Sequence, residues 1–261
     1  MLKRGFSRFF TLALALTMSM ALGLAAGCSD DQEAKAEKEY TNGIDASYHP
    51  FAYIDESGEP AGFDVDSMNW IAGKMGFKVR HMSMEWSTIV TSLLEKRIDM
   101  VASGMSISPE RQKVVTFSNP YYAINKNLVV LKDSALTKDE ILTGDKRLGV
   151  QEGTNEATWL EENKDGMGWN YTLRYYRSPR LAIEDLVNGR IDAAALDSPP
   201  ANDAIGKGFP IKVLGDFKEG DDFGVATRNE DAELRNLINE GYKLLMADPY
   251  WEELKSKYDV Q

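Results

Sequence analysis

The chain has 261 residues, with 41 Asp and Glu against 30 Lys and Arg, two His and one Cys. Its net charge of −11 excludes a nucleic-acid surface and a basic membrane-binding face, both of which need an excess of cations. One thiol and two histidines without partners at ligand spacing exclude a disulfide framework and a zinc site.

The N-terminus reads as an address rather than as part of a fold. Lys3, Arg4 and Arg8 make a positive region, and an apolar run from Phe9 ends at Leu24-Ala-Ala-Gly27, directly before Cys28. A short apolar segment with a basic flank and small residues before the cut marks residues 1–27 as a secretory signal, not a spanning helix. The segment resembles a bacterial lipoprotein signal, although Ala25 stands where that pattern prefers Leu. Cys28 is then expected to be acylated and to become the first mature residue; the alternative is an ordinary signal peptidase site beside an incidental cysteine. Acylation also accounts for a lone thiol in an oxidising compartment. Removing the signal cations leaves 27 positive against 41 negative residues, an acidic surface that favours solubility. Residues 29–40 (SDDQEAKAEKEY) are polar and charged, so 28–40 is expected to be an acylated flexible tether. Extended, it reaches roughly 40 Å.

Structure is expected from about Gly43. The stretch 62–76 (GFDVDSMNWIAGKMG) places Val65, Met68, Ile71, Ala72 and Met75 at a helical period closed by Gly76. Residues 77–79 predict a strand, Ser87 caps a second helix through Ile89, Val90, Leu93 and Leu94, and 98–102 (IDMVA) predicts a buried strand. The junction 94–99 (LEKRID) recurs as 187–192 (VNGRID), each leading into a strand, 93 positions apart. Such alternation predicts an α/β fold with mostly parallel sheets, and the repetition predicts two lobes of like architecture. The apolar runs 127–131 (NLVVL) and 222–226 (DFGVA) are expected to cross between the lobes.

No phosphate-binding glycine loop is present, since Gly166-Met-Gly168 lacks a third glycine and a preceding strand, and no Gly-x-Ser-x-Gly elbow occurs. Binding is therefore the default. The segment 103–111 (SGMSISPER) follows the IDMVA strand and begins a helix, with Ser108 as N-cap and Pro109 at the first position. A helix start offers free N–H groups to an anion. Ser103 and Ser106 add hydroxyl donors, Gly104 admits a ligand to the backbone, and Arg111 offers a planar fork to a carboxylate.

These residues carry a resemblance. The chain resembles the polar-amino-acid family of extracellular solute-binding proteins, with the type II periplasmic binding protein fold, from about Gly43 to Tyr258. Its landmarks are 43–51 (GIDASYHPF), 62–66 (GFDVD), 103–111, 117–122 (FSNPYY), 153–155 (GTN) and 195–197 (ALD), in that order. The resemblance implies two parallel-sheet-based lobes joined by two hinge strands: lobe one 41–127 plus 220–261, lobe two 128–219. It implies that Arg111 takes a ligand α-carboxylate, helped by Ser106 and the backbone from Met105 to Ser106. Thr154 is implied to add donors, with Asn155 beside it, and Asp197 to accept from the α-ammonium. Tyr48 and Trp86 match positions whose rings sandwich the ligand side chain, with Phe51 alongside, and Asp45 matches one that meets the ligand tail. Core packing is the competing reading for all three rings, above all for Phe51, and a strand-end cap is the competing reading for Asp45.

The implied activity is that of an exported, lipid-anchored, monomeric receptor that delivers a polar L-amino acid to an ABC permease, without cofactor, metal or catalytic residue. Basic, glutamine and cystine-like ligands stay open; Asp45, Glu152 and Glu156 tilt the charge balance toward a cationic tail. Two alternatives remain. The sequence Gly-Thr-Asn-Glu also occurs in periplasmic cyclohexadienyl dehydratases built on this scaffold, but their catalytic glutamate falls where Pro200 stands here. The receptor could otherwise feed a sensor kinase rather than a transporter.

Overall fold

Strand β1 (Glu39–Asp45) opens the fold in a computed structural model that describes residues 37–260. The signal segment, Cys28 and the tether as far as residue 36 lie outside the described residues. The strand begins ahead of Gly43 because Tyr40 is buried, its ring edge-on to Phe77 at 5.4 Å. Glu39 and Tyr40 thus belong to the fold and not to the tether.

The chain continues through the short strands β2 (Ser47–Tyr48), β3 (Ala52–Ile54) and β4 (Pro60–Ala61), helix α1 (Phe63–Met75), β5 (Lys78–Met84), α2 (Trp86–Leu94), β6 (Met100–Val101), α3 (Pro109–Gln112) and β7 (Thr116–Phe117). Next come β8 (Tyr122–Leu131), α4 (Lys138–Thr143), β9 (Lys146–Gln151), α5 (Asn155–Asn163), β10 (Tyr171–Tyr176), α6 (Pro179–Val187), β11 (Ala193–Asp197), α7 (Ser198–Gly206) and β12 (Ile211–Phe223). Strand β13 (Ala226–Thr227) and helices α8 (Ala232–Ala247) and α9 (Tyr250–Tyr258) follow. No helix among the described residues is long and apolar enough to cross a membrane.

Of the two five-stranded sheets, one has the order β5-β1-β6-β13-β7 and the other β10-β9-β11-β8-β12, while β2-β3-β4 form a small antiparallel third. In each five-stranded sheet, three strands joined through helices are parallel, β5-β1-β6 and β10-β9-β11. In each, one strand runs against its neighbours, β13 between β6 and β7 and β8 between β11 and β12, and it is the strand that arrives from the other sheet. Strands β8 and β12 pair from Leu131 and Ile211 to Tyr122 and Phe223, with register shifts on the way. They carry the chain out of the first sheet and back to it. The expected lobe boundaries at 127/128 and 219/220 fall inside these two strands. Separate cores lie on either side: Phe51, Phe63, Met68 and Phe223 in one, Leu128, Leu148, Leu160 and Tyr171 in the other.

The repeated junction is the same device twice. Lys96 and Gly189 both adopt the left-handed conformation, with φ of 61° and 70°. After each turn an aspartate reaches back to the neighbouring parallel strand: Asp99 accepts from the Thr41 N–H at 2.9 Å, and Asp192 from the Arg147 N–H at 2.8 Å. Those contacts satisfy a strand N–H that the ladder leaves open. Helix α1 closes at Gly76, with φ 73°, as the pattern predicts. Helix α2 does not start from a Ser87 cap: Glu85 is the extended residue before it and Trp86 is already helical. The Thr88 hydroxyl bonds the Glu85 carbonyl instead, at 3.1 Å.

Candidate ligand-binding cleft

On the side of the first sheet, the residues after β6 are fixed by their neighbours. The Ser103 hydroxyl accepts from the Asp45 N–H at 2.9 Å and is fully buried, so it pins the end of β1. Gly104 has φ 60°, and a Cβ there would lie 2.3 Å from Tyr48 Cε1. The glycine therefore lets the Tyr48 ring approach. Its N–H donates at 2.6 Å to Asp64, which also accepts from the Tyr121 hydroxyl at 2.7 Å. Burial pushes the Asp64 carboxyl up to about 7, against the pull of those two donors. The Met105 side chain is core, and only its carbonyl is engaged, by the Gly224 N–H at 3.0 Å. The Ser106 hydroxyl accepts from the ammonium of Lys126, at 3.2 Å.

Helix α3 carries Arg111, and Ser108 caps it by accepting from the Arg111 N–H at 3.3 Å. With four residues the helix offers little dipole, so the arginine fork is its main anion-binding group. That fork donates to the Ser106 carbonyl at 2.9 Å and to the Gly153 carbonyl at 3.3 Å, and lies 5.3 Å from the Trp86 ring. Burial lowers the Arg111 pKa; Glu156, Asp197 and Asp221 oppose it.

On the side of the second sheet, Thr154 caps α5, accepting from the Ala157 N–H at 3.2 Å and donating to the Gln151 carbonyl at 2.8 Å. Asn155, the first residue of α5, holds its amide nitrogen buried without a partner. Asp197 ends β11 and accepts at 2.5 Å from the Tyr48 hydroxyl. Opposite this face, at the end of β1, Asp45 accepts from the Ser47 N–H and hydroxyl, at 3.0 and 2.7 Å, and from the Gln151 amide at 2.7 Å. All its donors are neutral, and burial raises its pKa despite them. The two faces thus meet directly at Tyr48–Asp197, Arg111–Gly153 and Asp45–Gln151.

Lys126, in the middle of β8, stands at the centre with no exposed side-chain surface. It pairs with Glu156, with Asp197 at 2.6 Å and with Asp221 at 3.0 Å. Burial works against its charge, but Asp197, Glu156 and Asp221 outweigh it and raise the Lys126 pKa. Burial likewise opposes ionisation of Glu156, yet Lys126 holds that carboxyl well below the usual range. Asp197 is pushed up to about 8 by burial first and by the Glu156 charge second. Lys218 shares Asp221, at 3.1 Å.

Of the residues expected at a binding site, Tyr48, Ser106, Arg111 and Asp197 converge on this cluster, and Trp86 flanks it through Arg111. Asp45 sits at its edge, where a cavity of about 470 Å³ is walled by Ser47, Met84, Glu85, Trp86 and Arg177. Arg111, Thr154 and Asn155 line a separate cavity of about 260 Å³. Phe51 is fully buried among Phe63, Tyr122 and Phe223, at 5.4, 5.0 and 5.2 Å, so it belongs to the core. Ser103 and the Met105 side chain are likewise supports and not surfaces.

Sequence reasoning missed Lys126, Gln151 and Asp221, and counted Glu156 as an unpaired anion. One signal was available: a lysine inside the strand run 122–131, which is otherwise short of charge. Pro200 is buried in the first turn of α7, three residues beyond Asp197, and offers no ionisable group.

Comparison with known proteins decides the family. The model of the bacterial extracellular solute-binding proteins, family 3, matches residues 40–261. The chain belongs to that family. It is 31% identical over 255 residues to the histidine-binding periplasmic protein of Salmonella typhimurium strain LT2, covering 93% of this chain and 96% of that one. It is 30% identical to the arginine-binding extracellular protein ArtP of Bacillus subtilis strain 168, over 96% and 97% of the two chains. Among solved structures, the ancestral amino acid-binding protein AncCDT-1, described as a precursor of cyclohexadienyl dehydratase, superposes with a TM-score of 0.77 at 30% identity, over 84% of this chain and 95% of that one. The two sheets are therefore the two lobes of a type II periplasmic binding protein.

Proposed function

We propose that this solute-binding protein is exported, anchored through Cys28, and closes on one polar L-amino acid that it presents to an ABC permease. Charge carries the reading. Glu156, Asp197 and Asp221 stand around Lys126, with Lys218 also on Asp221, whereas Asp45 has only neutral donors and Arg111 donates to two carbonyls. Lys126 and Lys218 already serve Glu156 and Asp221. Arg111 then suits an α-carboxylate, Asp197 an α-ammonium, and Asp45 a cationic tail, whose arrival would reverse the rise in pKa that burial imposes on Asp45. The cavity beside Asp45, with Glu85 and the Trp86 ring in its wall, favours a tail that is both charged and flat. A basic amino acid fits better than glutamine or cystine, in keeping with the histidine and arginine named for the relatives. Closure by hinge motion at β8 and β12 would bring the opposite charges onto one zwitterion.

A thermal-shift screen against the twenty amino acids, ornithine and cystine tests this. A ligand at a hundred times its dissociation constant stabilises the fold by about 2.7 kcal/mol. The largest rise in melting temperature is expected from arginine, lysine, ornithine or histidine. No rise with any compound would remove the receptor reading, and a largest rise with glutamine or cystine would remove the tail assignment. For the anchor, a clickable fatty acid should label wild-type protein and not Cys28→Ser; equal labelling would exclude acylation at that site.

A further inference from the structure

Lys126 has a place in the cleft that the assignment of Arg111 and Asp197 leaves unexplained. It lies opposite Asp197 in the antiparallel pair of β8 and β11, so the two side chains share a face at close range. Its ammonium is 2.6 Å from Asp197 and 3.2 Å from the Ser106 hydroxyl. It thus occupies, from within the protein, the carboxylate that the zwitterion reading gives to the ligand's ammonium, and ties it to the Ser106 hydroxyl. An ammonium has three hydrogens, and four oxygens surround this one: Ser106, Glu156, Asp197 and Asp221.

Resting on the reading of Asp197 as the α-ammonium acceptor, we propose that Lys126 is a specificity-determining residue that stands in for the ligand's α-ammonium, so that the cleft also accepts carboxylates lacking an α-amino group. With an amino acid bound, Lys126 keeps Glu156 and Asp221 and yields Asp197 to the ligand. With a des-amino ligand, Lys126 keeps Asp197 as well, and no carboxylate is left buried without a partner. That uncompensated charge is what makes loss of an ammonium costly in a closed site. Lys126 removes most of the cost. The remaining recognition then falls on the Arg111 fork for the carboxylate and on the Asp45 edge for the tail.

Titration calorimetry on three matched pairs tests the inference: L-arginine with 5-guanidinopentanoate, L-histidine with 3-(imidazol-4-yl)propanoate, and L-glutamine with 4-carbamoylbutanoate. For the pair whose amino acid binds, the wild-type protein is expected to bind the des-amino compound within about tenfold of its parent, and Lys126→Met to widen that gap to about a hundredfold or more. The double variant Lys126→Met/Glu156→Gln removes the pair together, guards against misfolding of the single variant, and is expected to show the same wide gap. A wild-type loss beyond tenfold, or folded Lys126 variants with the wild-type ratio, overturns the proposal while leaving the receptor reading intact. If none of these parents binds, the ligand found in the thermal-shift screen and its des-amino counterpart replace them; if no compound in that screen binds, the receptor reading fails and this inference falls with it.

Discussion

The Tyr48 hydroxyl donates to Asp197 at 2.5 Å across 149 positions of sequence, joining the edge of one lobe to a strand end of the other. Its ring is held on one side by Gly104, whose missing Cβ leaves the space it fills. One face of the cleft is therefore shaped to deliver a hydrogen bond to the other. A hydrogen bond contributes about 0.5–1.5 kcal/mol, enough to bias a hinge equilibrium.

Tyr48→Phe should accordingly open the ligand-free protein. Small-angle scattering without ligand is expected to give a larger radius of gyration for the variant than for wild type, with both converging when ligand is added. Identical radii without ligand would mean that this bond does not hold the lobes together.

Binding should be linked to protons through Asp197. In the free cleft its carboxyl is pushed up to about 8, and a ligand ammonium beside it would bring that value down. Protons are then released on binding, and affinity rises with pH up to about 8, by at most about tenfold per pH unit. Calorimetry at pH 7 in two buffers of different ionisation enthalpy should register the release. Proton uptake, or an affinity flat between about pH 6 and 8, would contradict it.

Asp64 gives a separate pH signature, in stability. Its folded pKa of about 7 lies above the unfolded value near 3.8, so its contribution is fully present below the unfolded value and is lost as pH rises through the folded one. A tenfold difference in proton affinity between the two states corresponds to about 1.4 kcal/mol. Asp64→Asn loses hydrogen-bond geometry to Gly104 or Tyr121 at every pH, but it escapes this titration. Urea denaturation should therefore show the variant's deficit shrinking by about 1 kcal/mol or more between pH 4 and pH 7. A constant deficit would show that Asp64 titrates normally.

Much of this architecture was legible in the sequence, and the repeated junction shows why. Leu94–Asp99 and Val187–Asp192 repeat because each must turn through a left-handed residue and return an aspartate to a neighbouring strand, demands that are local and leave a local trace. The helix ending at Gly76 and the Ser108-Pro109 start are legible for the same reason. Lys126 was not, since its partners lie 20 to 95 positions away and a lone strand lysine ordinarily faces solvent. The aromatics divide likewise: nothing in the local sequence separates Phe51, buried in the core, from Tyr48, which reaches across the cleft.

That reach also changes what the cleft variants should do. Arg111 and Asp197 are expected, from sequence, to be solvated when no ligand is bound; here Asp197 is tied to Tyr48 and Lys126, and Arg111 to two carbonyls. Asp197→Ala should therefore alter the melting temperature of the free protein as well as binding, because Tyr48 and Lys126 each lose a hydrogen-bond partner.

The central claim is that Arg111 and Asp197 grip the two charged ends of one α-amino acid. Titration calorimetry of Arg111→Ala, Arg111→Lys and Asp197→Ala with the amino acid that wild type binds tests it most directly. Each contact is charge-assisted, worth about 1.5–3 kcal/mol, so either alanine variant should weaken binding by about tenfold to several hundredfold. Arg111→Lys should recover only part of the loss, since a point charge does not reproduce the fork. An alanine variant that binds as tightly as wild type would contradict the role given to that residue, and two such variants would contradict the account of the cleft.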